Sequence, residues 1–247
     1  MRIIVFNVRK MYAVKTAAKI VTVLFALVLS CVFVLEHILD SSLYVSASTE
    51  SESGKIIIID AGHGGEDCGA IGKNGAYEKA LNLQLASELY AELTTRGYTV
   101  VMTRTEDKML YAPEENVKGI RKISDLKNRV KIAEEYPDAL FISIHMNTYA
   151  AERYHGFQAY FNSGDPNSQI LADTIQKTVR TTLQPDNGRA IKDGGELYIL
   201  KNAPTTTVLL ECGFISNSEE CEKLCEKEYQ KQLSFSIVCG IIEYIES

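Results

Sequence analysis

The chain has 247 residues, 46% apolar and 23% charged, with a net charge of −6. That suits one globular domain with a sizeable core and a small extension. The acidic balance argues against a nucleic-acid binder, which would carry a basic footprint, and requires any anionic polymer to be recognised by a shaped site and not by bulk attraction.

The extension comes first. Arg2, Arg9, Lys10, Lys15 and Lys19 precede any acid, and the run from Ile20 to Leu35, "IVTVLFALVLSCVFVL", carries no charge. A basic flank before an apolar run reads as an export segment, with the flank left in the cytoplasm and the body outside. "VSAS" at 45–48 offers cleavage after Ala47, but it lies twelve residues beyond Leu35. That spacing favours an uncleaved membrane anchor within residues 1–40, extended through Ile38 and Leu39, over a removed signal. Residues 41–54, "SSLYVSASTESESG", read as a solvated Ser-rich linker. The first 40 residues hold five basic and two acidic side chains, a net of +3, so the rest of the chain carries −9.

Residues 55–247 form the expected catalytic domain. Apolar, β-rich runs occur at 55–59, 98–102, 139–144, 156–161, 196–200 and 206–211. Helical patterns separate several of them. The clearest starts near Glu78, with Leu81, Leu85, Leu89 and Leu93 on one face and Gly97 as its stop; others lie near 124–136, 168–183 and 226–246. Six strands interleaved with helices predict an α/β sheet covered on both faces. Of the five cysteines beyond Cys31, none forms a C-x-x-C pair; buried thiols are expected, with a Cys221–Cys225 bridge as the alternative.

Open α/β sheets place their sites just beyond the carboxyl ends of strands. His63 follows the isoleucine run by four residues, on a glycine loop; His145 follows "LFISI"; Glu211 closes "TTVLLE". Glu78 opens the first long helix. Taken singly, each has an ordinary explanation: a turn residue, a buried hydrogen-bonded histidine, an acid complementing a helix dipole. Glu211 is the hardest to dismiss, because a carboxylate on an apolar strand is costly to bury without a partner. Together, two histidines and a carboxylate with an open position make a catalytic zinc set, and a further glutamate can act as the base. Cys212 falls on the opposite strand face from Glu211 and is expected in packing.

"IIIDAGHGGEDCGAIG", the Glu of "AYEKALNLQLA", "LFISIHMN" and "LLECGFISNSEE" resemble, in order, the motifs of the zinc-dependent N-acetylmuramoyl-L-alanine amidases, the Amidase_3 family. The likeness covers about 55–247. It implies a mixed sheet flanked by helices, one zinc held by His63, Glu78 and His145, and Glu211 as the catalytic glutamate. Ala61 stands where the family usually has proline, which changes loop stiffness but no ligand. The implied reaction is hydrolysis of the amide between the muramic lactyl group and L-alanine of the peptidoglycan stem peptide. The short anchor, the lack of wall-binding repeats and "KGIRKISDLKNRV" at 118–130 are similar to the CwlD-like sporulation and germination branch, which acts towards muramic-δ-lactam in spore cortex. A vegetative cell-separation amidase and a non-catalytic wall-binding protein are the alternatives. Arg121, Lys122 and Arg129 read as a solvated helix face, or as contacts for stem-peptide carboxylates. A lone acidic catalytic body with no wall-binding module also suggests an activating or localising protein partner.

Overall fold

The computed structural model describes residues 54–247. The expected anchor and all but the last residue of the linker lie outside the described residues. Among those described, no helix is long and apolar enough to cross a membrane.

The chain runs through β1 (Ile56–Ala61), α1 (Glu78–Thr95), β2 (Thr99–Met102), α2 (Arg121–Glu135), β3 (Leu140–Asn147), β4 (Gln158–Phe161), α3 (Pro166–Thr182), β5 (Lys192–Asp193), α4 (Tyr198–Asn202), β6 (Thr206–Phe214), α5 (Ser218–Cys225) and α6 (Lys227–Glu246), with one 3₁₀ turn at Pro113–Glu115. One six-stranded sheet results, in the order β2-β1-β3-β6-β4-β5. The first four of these strands are mutually parallel; β4 runs antiparallel to β6 and parallel to β5, so the sheet is mixed.

Strand alternation divides the core. Ile57, Ile59, Leu140, Ile142, Val208 and Leu210 face one layer, built from α1, α3 and α6. Ile58 and Phe141 face the other, against Val130 and Ala133 of α2 and Ile199 of α4. Burial on both faces explains why these strands read as continuous apolar runs instead of alternating ones. Leu81, Leu85, Leu89 and Leu93 of α1 are all buried, as their spacing predicts, and Gly97 ends the helix with φ +86°. Cys212 is fully buried on the α1 face, as its alternation predicts.

Three elements differ from expectation. The apolar run at 196–200 is not a strand: it enters the short helix α4, where Lys201 N–H bonds the Leu197 carbonyl at 2.9 Å, and the sixth strand is the two-residue β5 before it. Only the adjacent Ile199 and Leu200 are buried, a spacing that suits a helical turn docking on a sheet face and not a pleated strand. Helix α5 was not foreseen, although Asn217 caps it by accepting from Glu220 N–H at 2.9 Å. All five cysteines of the described residues are free thiols, but only Cys212 and Cys221 are buried; Cys225 is exposed.

Candidate active site

The strand ends that matter extend farther than their apolar runs. β3 continues to Asn147 and β6 to Phe214, so His145 and Glu211 lie within strands, opposite each other in parallel register. They share one sheet face. His63 lies on the loop after β1, where it is the one non-glycine residue with positive φ (+60°) among the described residues. That left-handed backbone is costly for a residue with a Cβ, and it aims the imidazole back over the sheet. Glu78 is the first residue of α1 and is almost fully buried.

These elements bring the donors together. Glu78 Oε1 lies 3.1 Å from His63 Nε2 and 3.0 Å from His145 Nδ1. The carboxylate is fixed by backbone: Oε1 also accepts from Met146 N–H at 3.2 Å, and Oε2 from Ala70 N–H at 2.8 Å. Among the described residues, His63, Glu78 and His145 form the one group of His, Cys, Asp or Glu side chains whose donor atoms all lie within 4.8 Å of one another. Ligands about 2.0–2.1 Å from a tetrahedral zinc stand roughly 3.3 Å apart, so the donor spacing and chemistry fit that ion.

Two glycines make this convergence sterically feasible. A Cβ on Gly62 would fall 2.3 Å from the His145 ring. A Cβ on Gly69, which has φ +65°, would fall 2.5 Å from Glu78 Oε2 and 2.8 Å from His63 Cδ2. The glycine loop thus lets bare backbone pass against two of the donor rings and the carboxylate between them.

Electrostatics follow from the crowding. Burial pushes the His63 imidazole down, but Asp67, whose Oδ2 lies 2.9 Å from Nδ1, and Glu78 outweigh it and raise it to about 9. Burial pushes Glu78 up, yet His145 and His63 hold it far below the usual carboxylate range. Glu211 behaves in the opposite way. Burial raises its carboxyl to about 7; Glu78 adds to this, while His145 and His63 pull against it. Its Oε2 is buried and has no hydrogen-bond partner within the protein. An orphaned carboxylate oxygen beside a three-donor cluster is the arrangement a proton-accepting base needs, and a pKa near neutrality suits that task.

Behind the donors lies a set of buried charged groups that the sequence pattern does not single out. Arg129 is 1% exposed, so it does not belong to a solvated helix face. It pairs with Asp60 and Asp125, and its Nη1 and Nη2 donate at 2.8 Å to the carbonyls of Ala61 and His63. Arg104, 2% exposed, donates to the carbonyls of Ala61, Gly62 and Lys79 at 2.8–2.9 Å. Asn82 adds a bond to Gly62 O at 3.1 Å. The loop that carries His63 is therefore gripped from behind at three successive carbonyls. Asp60 completes the network by accepting from Thr103 and Ser143, each at 2.7 Å. Arg121 and Lys122 reach the same loop from outside, paired with Glu66 and Asp67. Only burial distinguishes Arg129 from its neighbours; the signal available in sequence was its i, i+4 pairing with Asp125 and the isolated Asp60 at the end of a core strand.

Residues 57–243 match the family described as N-acetylmuramoyl-L-alanine amidase. The chain belongs to that family. Among its relatives, a germination-specific N-acetylmuramoyl-L-alanine amidase of Bacillus subtilis is 36% identical over 78% of this chain and 80% of the relative. Among solved structures, the CwlD amidase of Clostridioides difficile, determined in complex with the GerS lipoprotein, is 34% identical with a TM-score of 0.75, covering 78% of this chain and 98% of that one. The amidase AmiC2 of Nostoc punctiforme is 27% identical with a TM-score of 0.68, over 78% and 98% of the two chains. The first two matches support the CwlD-like branch expected from the motifs, and the mixed sheet agrees with these amidase structures.

Proposed function

We propose that this amidase hydrolyses the bond between the lactyl carbonyl of N-acetylmuramic acid and the L-alanine nitrogen of the stem peptide, using one zinc held by His63, Glu78 and His145. The observation that carries the proposal is the three-donor cluster with the unpartnered Glu211 carboxylate in register beside His145. Bound there, zinc would supply a Lewis acid that polarises the scissile carbonyl and acidifies the attacking water. Glu211 accepts the proton of that water and returns it to the departing alanine nitrogen, so the C–N bond breaks to a muramic carboxylic acid and a free amine. The N–H groups of Ala70 and Met146 fix the Glu78 carboxylate, and Asp67, whose Oδ2 lies 2.9 Å from His63 Nδ1, holds that imidazole with Nε2 turned to the donor cluster. The arginine-gripped loop keeps His63 in its left-handed conformation, so little reorganisation is left to the moment of reaction.

The finer assignment follows from the relatives' chemistry and the chain's own composition. The germination-specific relative and the CwlD structure support action on spore cortex, towards muramic-δ-lactam. The basic flank and charge-free run at the N-terminus support work outside the cytoplasmic membrane, tethered through residues around 20–39. The CwlD relative, seen in complex with a lipoprotein, supports help from a second protein, and a body of net −9 gains nothing from bulk attraction to an anionic wall polymer. Mass spectrometry of purified peptidoglycan before and after incubation tests the reaction. The expected products are stem peptides with a free alanine amine and muramic acid without its peptide; cleavage within the peptide, leaving L-alanine on the sugar, would overturn it.

A further inference from the structure

The sheet face that carries His145 and Glu211 continues past them. In the antiparallel β4–β6 pair, Gln158 stands opposite Glu211, so its side chain lies on the same face, one strand farther from His145. Arg189 docks on it: Nη1 donates to Gln158 Oε1 at 3.2 Å and Nε to the His155 carbonyl at 2.7 Å. Its guanidinium lies over the Phe214 ring at 4.4 Å, and Phe214 stacks on Tyr154. Arg153 covers Tyr154 at 5.0 Å, so two guanidinium groups flank one short aromatic stack, which the exposed Tyr149 extends.

These two arginines are set apart by lying on aromatic rings without an ion pair. Arg96, Arg121 and Arg129 are all ion-paired, Arg104 is committed to backbone carbonyls, and Arg180 donates to the Arg189 carbonyl. Arg153 and Arg189 form no ion pair among the described residues, within a body of net −9. Glu220 acts on Arg189 through its field, but that carboxylate already accepts from the N–H groups of Gly156 and Phe214. A planar cation fixed on an aromatic face and left without an ion-pair partner is suited to a carboxylate. Arg121, Lys122 and Arg129, for which stem-peptide contact was the alternative to a solvated helix face, are all paired within the protein.

We propose that Arg189 and Arg153 form a subsite for a carboxylate of the stem peptide, on the leaving-group side of the scissile amide. The proposal rests on the amidase reading above. Arg189 lies about two strand spacings from Glu211, roughly 10 Å. An extended peptide advances about 3.3–3.6 Å per residue, so a carboxylate two or three residues beyond the scissile bond reaches it. The free α-carboxylate of a γ-linked acidic residue second in the stem meets that requirement.

The test uses the full-length chain and two muramoyl-L-alanyl-γ-D-glutamyl peptides that differ only in the glutamyl α-group, carboxylate in one and carboxamide in the other. The wild type should prefer the carboxylate by about tenfold or more, mainly through KM, and the preference should fall towards unity in Arg153→Gln/Arg189→Gln. Arg189→Lys should recover part of it, since charge returns without the planar fork. Cleavage without preference in the wild type, or a preference that survives the double variant, would overturn the subsite and leave the amidase reading standing. If neither substrate is cleaved, binding of the free L-alanyl-γ-D-glutamyl peptide decides. Arginine-dependent binding upholds the subsite while the amidase reading falls; no binding removes both.

Discussion

Gly62→Ala isolates the geometry of the donor cluster with one methyl group. The backbone at Gly62 is not in the left-handed region, so alanine meets no backbone strain there, and the effect is steric. The new Cβ would sit 2.3 Å from both Cε1 and Nε2 of His145, against an ordinary contact of 3.4–4 Å. The ring must retreat by more than about 1 Å, or the loop must lift, and the loop is held by Arg104, Arg129 and Asn82. Overpacking of this kind costs about 1–3 kcal/mol in stability, which a domain of this size survives. A metal ligand, by contrast, tolerates only about 0.2 Å of displacement, and a misplacement of about 1 Å at a reacting centre can cost on the order of 10² in rate. The expected outcome is a folded protein with reduced zinc content and at least about a hundredfold lower amidase activity, measured by metal analysis, thermal unfolding and release of stem peptide. Wild-type zinc content together with wild-type turnover would refute the packing argument.

Arg129→Met removes one partner of a buried pair and leaves Asp60 uncompensated, so stability should fall by about 3–5 kcal/mol, read by denaturant unfolding. Asp60→Asn in the same background should recover part of that loss, because the stranded charge is gone; no recovery would mean that the two side chains do not act as a pair. Asp60 also sets an acid limit. Burial pushes its carboxyl up, but Arg129, Ser143 and Thr103 outweigh burial and hold it below its usual value of 3.8. Its folded-state pKa is depressed, so its contribution is fully present above about pH 4 and is lost as pH falls through the lowered value. Unfolding free energy followed from pH 6 down to pH 2 should drop more steeply in the wild type than in Asp60→Asn, and parallel curves would remove Asp60 from the acid response.

Much of the fold could be read because it depends on local pattern. Four isoleucines can only be a strand buried on both faces here, and leucines every four residues can only place one helix face in the core. His63, His145 and Glu211 could be read because the carboxyl ends of apolar strand runs in an α/β sheet collect chemistry; Glu78 opens helix α1 instead, and only its place in the family's ordered motifs singled it out. What sequence could not give was the support for them. Arg129 and Lys127 look alike on a helix; only the tertiary position of Asp60, 69 residues away, makes one of them a buried clamp on the His63 loop. The run at 196–200 failed for a related reason: five residues are too few to separate a period of two from a period of 3.6. The Arg189 platform spans β4, β6 and two loops, so no local spacing announces it.

The central claim is that His63, Glu78 and His145 hold zinc while Glu211 moves the proton, and paired measurement of zinc content and turnover in Glu211→Gln and His145→Ala tests it most directly. Glutamine keeps the shape and one acceptor oxygen of Glu211 but cannot take a proton. Glu211→Gln should keep zinc close to the wild-type level while turnover falls by about 10²–10⁴, and His145→Ala should lose both. Near-normal turnover in Glu211→Gln, or zinc loss there as complete as in His145→Ala, would contradict the assignment.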